Sequence, residues 1–96
     1  MASSAEYRDY VLEQLAELTP EYKSMMGEFL IYVSGVCFGG IFDNKFLIKI
    51  TKTNEKYSLV KDIPYESAKP MYMVENVDNK EYLKELVLDT VKGLKK

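Results

Sequence analysis

The sequence predicts an α+β domain, a two-layer sandwich whose antiparallel sheet of about four or five strands is covered by N- and C-terminal helices. Three observations carry that prediction. Apolar residues recur at three- and four-residue spacing at both ends of the chain, the pattern of amphipathic helices. Between them, short apolar runs are cut by Gly27, Ser34-Gly35 and Asp43-Asn44, the punctuation of antiparallel hairpins. No βαβ repeat with a Gly-rich phosphate turn occurs.

The first helix is expected over residues 4–18, where Tyr7, Val11, Leu12, Leu15 and Leu18 form the stripe. Ser3 and Glu6 have capping-box spacing, and Pro20 forces the chain out of helical geometry by Thr19. Residues 21–26 and 28–33 read as the first two strands, with Gly27 as a bend or bulge between them. Ser34-Gly35 turns the chain into residues 36–42. Asp43-Asn44 turns it again into residues 45–50, where Phe46, Ile48 and Ile50 alternate with Lys45 and Lys49.

After Thr51 the periodicity weakens. Asn54 is expected to cap a short helix running through Val60, ended by Asp62-Ile63-Pro64. Pro64, Glu66, Ser67 and Pro70 mark a loop, and residues 71–75 read as the last strand, with Tyr72 and Val74 on one face. Asp78 and Glu81 repeat the capping-box spacing ahead of a closing helix striped by Tyr82, Leu83, Leu86, Val87 and Val91. Lys92, Lys95 and Lys96 complement the dipole at its C-terminal end.

Composition narrows the function classes. With 96 residues, 47% of them apolar and 29% charged, the chain is expected to be one globular domain. The formal charge of -2 argues against wrapping duplex DNA, which needs a clear surplus of Lys and Arg. The charge is unevenly spread, however: acids dominate residues 1–22, whereas Lys45, Lys49, Lys52, Lys56 and Lys61 form a candidate basic strip. Cys37 is the single cysteine, and no signal-peptide segment precedes the first helix, so a reducing cytoplasm is expected. No apolar run reaches the roughly 18 residues of a membrane span.

The chain contains no histidine, which removes Ser-His-Asp and Cys-His catalysis and His-ligated metals. No catalytic, cofactor-binding or metal-binding residue is assigned. Cys37 has no sequence-local cation and reads as a small packed side chain. Asp43 reads as turn chemistry, and Gly39-Gly40 as a bulge or a place of close backbone approach. Met25-Met26 and the Met71-x-Met73 pair read as core filler in preference to an adaptable binding surface.

Strand alternation points Leu30, Tyr32 and Leu47 opposite to Phe29, Ile31, Phe46 and Ile48. The second sheet face is therefore partly apolar, and these three residues are the candidate contacts for a second copy or a partner protein. The alternative is a nucleic-acid binder using the five lysines and neighbouring aromatics, weakened because Phe46 points away from Lys45 and Lys49. An enzyme built on Lys69 or Lys49 with a nearby tyrosine is a third reading.

The segments Met25-Met26-Gly27-Glu28-Phe29, Tyr32-Val33-Ser34-Gly35, Gly39-Gly40-Ile41-Phe42-Asp43, Phe46-Leu47-Ile48-Lys49 and Pro70-Met71-Tyr72-Met73-Val74 precede a closing helix with an acidic start. In that order and spacing the chain resembles the N-terminal domain of TfoX/Sxy proteins, regulators of competence genes in Gram-negative bacteria. The resemblance implies a single domain over residues 1–96, a fold similar to secretion chaperones, frequent dimerisation and no catalytic residues. Full-length members add a C-terminal domain resembling helix-hairpin-helix proteins. With the chain ending at Lys96, the expectation is a stand-alone, non-enzymatic regulatory module that works through protein contacts.

Overall fold

A computed structural model describes residues 4–25, 27–64 and 68–95. Ser4 opens helix α1 (Ala5–Gln14), its hydroxyl accepting from the Tyr7 backbone N–H. This is the capping role expected one position earlier, at Ser3, which lies outside the described residues. The helix is shorter than its stripe because a 3-10 turn at Ala16–Leu18 tightens its end, and Thr19 (φ 52°) leaves in left-handed geometry.

Five strands follow as β1 (Glu21–Met25), β2 (Glu28–Val33), β3 (Val36–Phe42), β4 (Lys45–Ile48) and β5 (Val60–Asp62). Strand β6 (Met71–Val74) and helix α2 (Lys80–Leu94) complete the chain. The strands form one antiparallel sheet in the order β1-β2-β3-β4-β6-β5. The β2–β3 and β3–β4 hairpins each have two positive-φ residues at their tips, Ser34 and Gly35 (54° and 77°) and Asp43 and Asn44 (52° and 57°). That geometry matches the right-handed twist of the flanking strands.

The sixth strand corrects the expected count of four or five. Where a helix through Val60 is expected, a single 3-10 turn forms at Glu55–Tyr57, and Ser58 (φ 51°) ends it. The chain then extends and pairs Val60, Lys61 and Asp62 with Met73, Tyr72 and Met71. Three residues are too few to show alternation, so this strand arises from its pairing partner. Helix α2 also starts one residue later than its expected cap: Asn79, not Asp78, accepts from the Tyr82 N–H.

One sheet face carries the main core. Phe29, Ile31, Phe46, Ile48, Tyr72 and Val74 point into a cluster completed by Val11 and Leu15 before β1 and by Leu83, Leu86, Val87 and Val91 of α2. A bulge in β3 adds Phe38. The register moves from Ile31 opposite Gly39 to Tyr32 opposite Cys37, and the extra residue, Phe38, is fully buried against Phe46 in an edge-to-face contact of 6.1 Å. Gly39 and Gly40 make this possible: a Cβ on Gly39 would lie 2.2 Å from the Leu47 carbonyl oxygen, and one on Gly40 2.3 Å from that of Phe29. The expected close backbone approach is thus present on both sides of β3.

Candidate functional site

The opposite sheet face is built by the alternate residues of the same strands. Cross-strand pairing sets Lys23, Leu30, Gly40, Leu47, Met73 and Val60 in one row across it. Leu47 is 1% exposed and Phe42 4%, so this face is covered at its centre. Around Phe42 lies a groove of about 650 Å³, walled by Met25, Leu30 and Cys37 on the strands and by Pro64, Ala68 and Pro70 between β5 and β6. Ile50, Met71 and Leu94 complete its apolar lining.

Among the described lining residues the charged groups are Lys49 and Lys69, both exposed, and none is a carboxylate. Neither lysine forms an ion pair with a described residue. Cys37 adds a half-buried free thiol whose Sγ is 3.7 Å from the Gly39 carbonyl oxygen. Volume and lining fit the general form of a small-ligand pocket, an apolar concavity of about 300–1,000 Å³ with a few polar groups.

The residues expected to bind a partner are separated by this arrangement. Leu30 lines the groove, Leu47 is buried beneath the face, and Tyr32 is half-buried beside the Lys23 ammonium, 5.7 Å from its ring centroid. The lysine strip is divided as well. Lys45 is bound to Asp62 at 3.2 Å and Lys56 to Asp89 at 3.2 Å, whereas Lys49 borders the groove. Lys52 and Lys61 are exposed, the latter on the edge strand β5. No tyrosine stands with Lys49 and Lys69 among the described lining residues.

A second polar constellation joins the segment after β4 to the end of α2. Asn54 is fully buried; its Oδ1 accepts from the Thr51 N–H at 2.9 Å, and its Nδ2 donates to the Lys49 carbonyl and to Thr90 Oγ1, both at 2.9 Å. Thr90 in turn donates to the Leu86 carbonyl. Thr53 donates to the Asp89 carbonyl, and a Cβ on Gly93 would meet Thr53 Oγ1 at 2.2 Å. Asn54 therefore acts as a bracket between loop and helix, in place of the expected cap. Beside it, Tyr57 donates to Asp89 Oδ2 at 2.6 Å. Burial, then the Asp89 carboxylate, raises the Tyr57 pKa; the Tyr57 hydroxyl, then Lys56, lowers that of Asp89.

Sequence reasoning missed both constellations. The signal for the bracket lay in Thr51-x-Thr53-Asn54 and Thr90-x-x-Gly93, small polar residues spaced for contact but distant in sequence. Among the described residues, no group of three or more His, Cys, Asp or Glu is placed to hold a metal ion. No described helix is long and apolar enough to cross a membrane. No protein-family model and no curated protein matches the chain.

Proposed function

We propose that this chain is a non-enzymatic regulatory module of the TfoX N-terminal type, a two-layer sandwich that acts in the cytoplasm through protein contacts and assembles as a homodimer. The observation that carries this reading is the exposure of apolar side chains along the free edges of the sheet. Val60 on β5 is 60% exposed and Ile63, just beyond it, 56%; Tyr22 and Met25 on the opposite edge are 42% and 39%.

An edge strand presents unpaired backbone donors and acceptors, and soluble proteins ordinarily blunt such edges with charge. Here β5 is short and carries Lys61 and Asp62, but Val60 and Ile63 flank them with apolar surface. That combination suits the addition of a strand from a second copy or from a partner segment. On this reading the contact lies at the sheet edge, and the candidate trio Leu30, Tyr32 and Leu47 supports the face behind it.

Sedimentation velocity over a concentration series tests the proposal. The native chain is expected to dimerise at micromolar concentration, and Val60→Lys with Ile63→Lys to shift the midpoint by about tenfold or more, the equivalent of about 1.4 kcal/mol. A chain that remains monomeric at high micromolar concentration, or one whose association ignores both substitutions, refutes the edge-mediated dimer.

A further inference from the structure

We infer that the groove on the second sheet face is a binding site for an aliphatic carboxylate, an unbranched apolar tail carrying one anionic head. The inference goes beyond the protein-contact reading and does not depend on it. It rests on three properties of the groove: its shape, the placement of its charges and the nature of its walls.

The groove crosses most of the sheet. Its lining runs from Met25 on β1 to Met71 on β6, four strand spacings apart in the sheet, or about 19 Å. Its volume of about 650 Å³ suits one small molecule.

The charges are polarised along the groove. Lys49 directly follows β4, and Lys69 is separated from β6 only by Pro70, so both lysines attach at the β4–β6 end. Met25 and Leu30 wall the β1–β2 end, and no acid answers the lysines among the described lining residues. A ligand matched to this field has its anion at one end and hydrocarbon at the other. The walls agree: Met25 and Met71 have adaptable thioether side chains that accommodate a flexible tail, and burying each methylene contributes about 0.8 kcal/mol.

A protein partner fits the groove less well. Thirteen described residues wall it, whereas a stable protein interface uses about 20–30 residues a side. Cys37, the single cysteine, stands in the lining and serves as a built-in reporter of occupancy.

The test uses the intact chain and dodecanoate below its micelle-forming concentration. Binding is read by calorimetry and by the rate at which a maleimide labels Cys37, with dodecyltrimethylammonium and butyrate as comparison ligands. Dodecanoate is expected to bind one-to-one and slow the labelling, while the cationic amphiphile and the short acid bind at least about tenfold more weakly. Lys49→Glu combined with Lys69→Glu is expected to weaken dodecanoate by about tenfold, and Lys52→Glu, outside the groove, to leave it unchanged. Equal binding of both amphiphiles, indifference to the lysine reversals or unprotected Cys37 would overturn the inference. So would labelling that slows with protein concentration alone, because a second copy would then fill the groove. Since Val60 and Ile63 do not line the groove, their variants separate failure of the edge dimer from failure of this site.

Discussion

The two faces of the sheet are made by alternate residues of the same strands, yet they end in different states. On one face Phe29, Ile31, Phe46 and Ile48 are buried in a cluster with side chains from α1 and α2. On the other, Leu47 and Phe42 are equally buried, but Leu30 borders an open groove of about 650 Å³. Alternation decides which residues share a face; it does not decide what covers that face. The helices supply broad apolar stripes to the first, while the groove on the second is bordered by Ile50, Leu94 and the described residues between β5 and β6.

Truncation should expose this difference most strongly. Phe46→Ala removes a fully buried ring that touches Phe38, and is expected to cost about 3–5 kcal/mol. Leu47→Ala, one residue away on the other face, should cost about 2–4 kcal/mol because Leu47 is 1% exposed. Leu30→Ala should cost only about 1 kcal/mol, since solvent can enter the space left beside the groove. Urea unfolding of the three variants gives the ranking. A Leu30 variant as damaged as the Phe46 variant would mean that the second face is sealed like the first.

Gly39 tests the junction between the faces. Adding one methyl places a carbon 2.2 Å from the Leu47 carbonyl oxygen and 2.8 Å from Ile48 Cα, so strands β3 and β4 must separate. Gly39→Ala is expected to cost about 3 kcal/mol, the upper part of the range for overpacking, because backbone has to move. Gly35→Ala is a useful contrast. Nothing lies within 4 Å of the added carbon, and its cost comes from the positive φ of 77° alone. Thermal melts of the two variants separate steric from conformational strain.

The sheet face assignments were legible in the sequence because Phe29, Ile31, Phe46 and Ile48 repeat with period two, a property of each strand by itself. The two terminal helices were legible from their own three- and four-residue spacing, and the turns at Ser34-Gly35 and Asp43-Asn44 from their residue types, whereas the helix expected from Asn54 through Val60 is a single 3-10 turn. Strand β5 was not, because the three residues Val60–Asp62 carry no periodicity and take their conformation from β6. The groove was invisible on similar grounds: Cys37, Lys49 and Lys69 are separated along the chain and meet only once the sheet is assembled. Leu30 and Leu47 were correctly placed on one face, but alternation does not set their different burial.

The Asn54 bracket shows that closure of the core face also depends on polar groups. Asn54→Ala leaves the Thr51 N–H, the Lys49 carbonyl and Thr90 Oγ1 without this amide in a buried setting. Its expected cost is about 2–3 kcal/mol, set by the desolvated groups left behind more than by the lost bonds. Amide hydrogen exchange at Thr51 should accelerate in the variant well beyond the global change. Uniform acceleration across α2 and the sheet would instead make Asn54 part of the general core.

The smallest expected effect lies just outside that bracket, in the pair formed by Tyr57 and Asp89. The hydrogen bond from Tyr57 and then the charge of Lys56 hold the Asp89 carboxyl below its ordinary pKa, so its contribution is present above the unfolded carboxylate range and is lost as pH falls through the folded value. For Tyr57 the direction is opposite: burial first, then Asp89, raises its pKa, so stability is retained below the ordinary tyrosine value of 10.0 and lost at higher pH. Asp62 and Glu17 are also lowered, so acid unfolding of the native chain alone cannot isolate Asp89. The informative quantity is the stability difference between the native chain and Asp89→Asn, expected to be about 0.5–1 kcal/mol near neutral pH after solvent screening and to shrink in acid. A difference that stays constant from neutral to acid pH would show that Asp89 acts through its shape and hydrogen bonding, with no contribution from its charge.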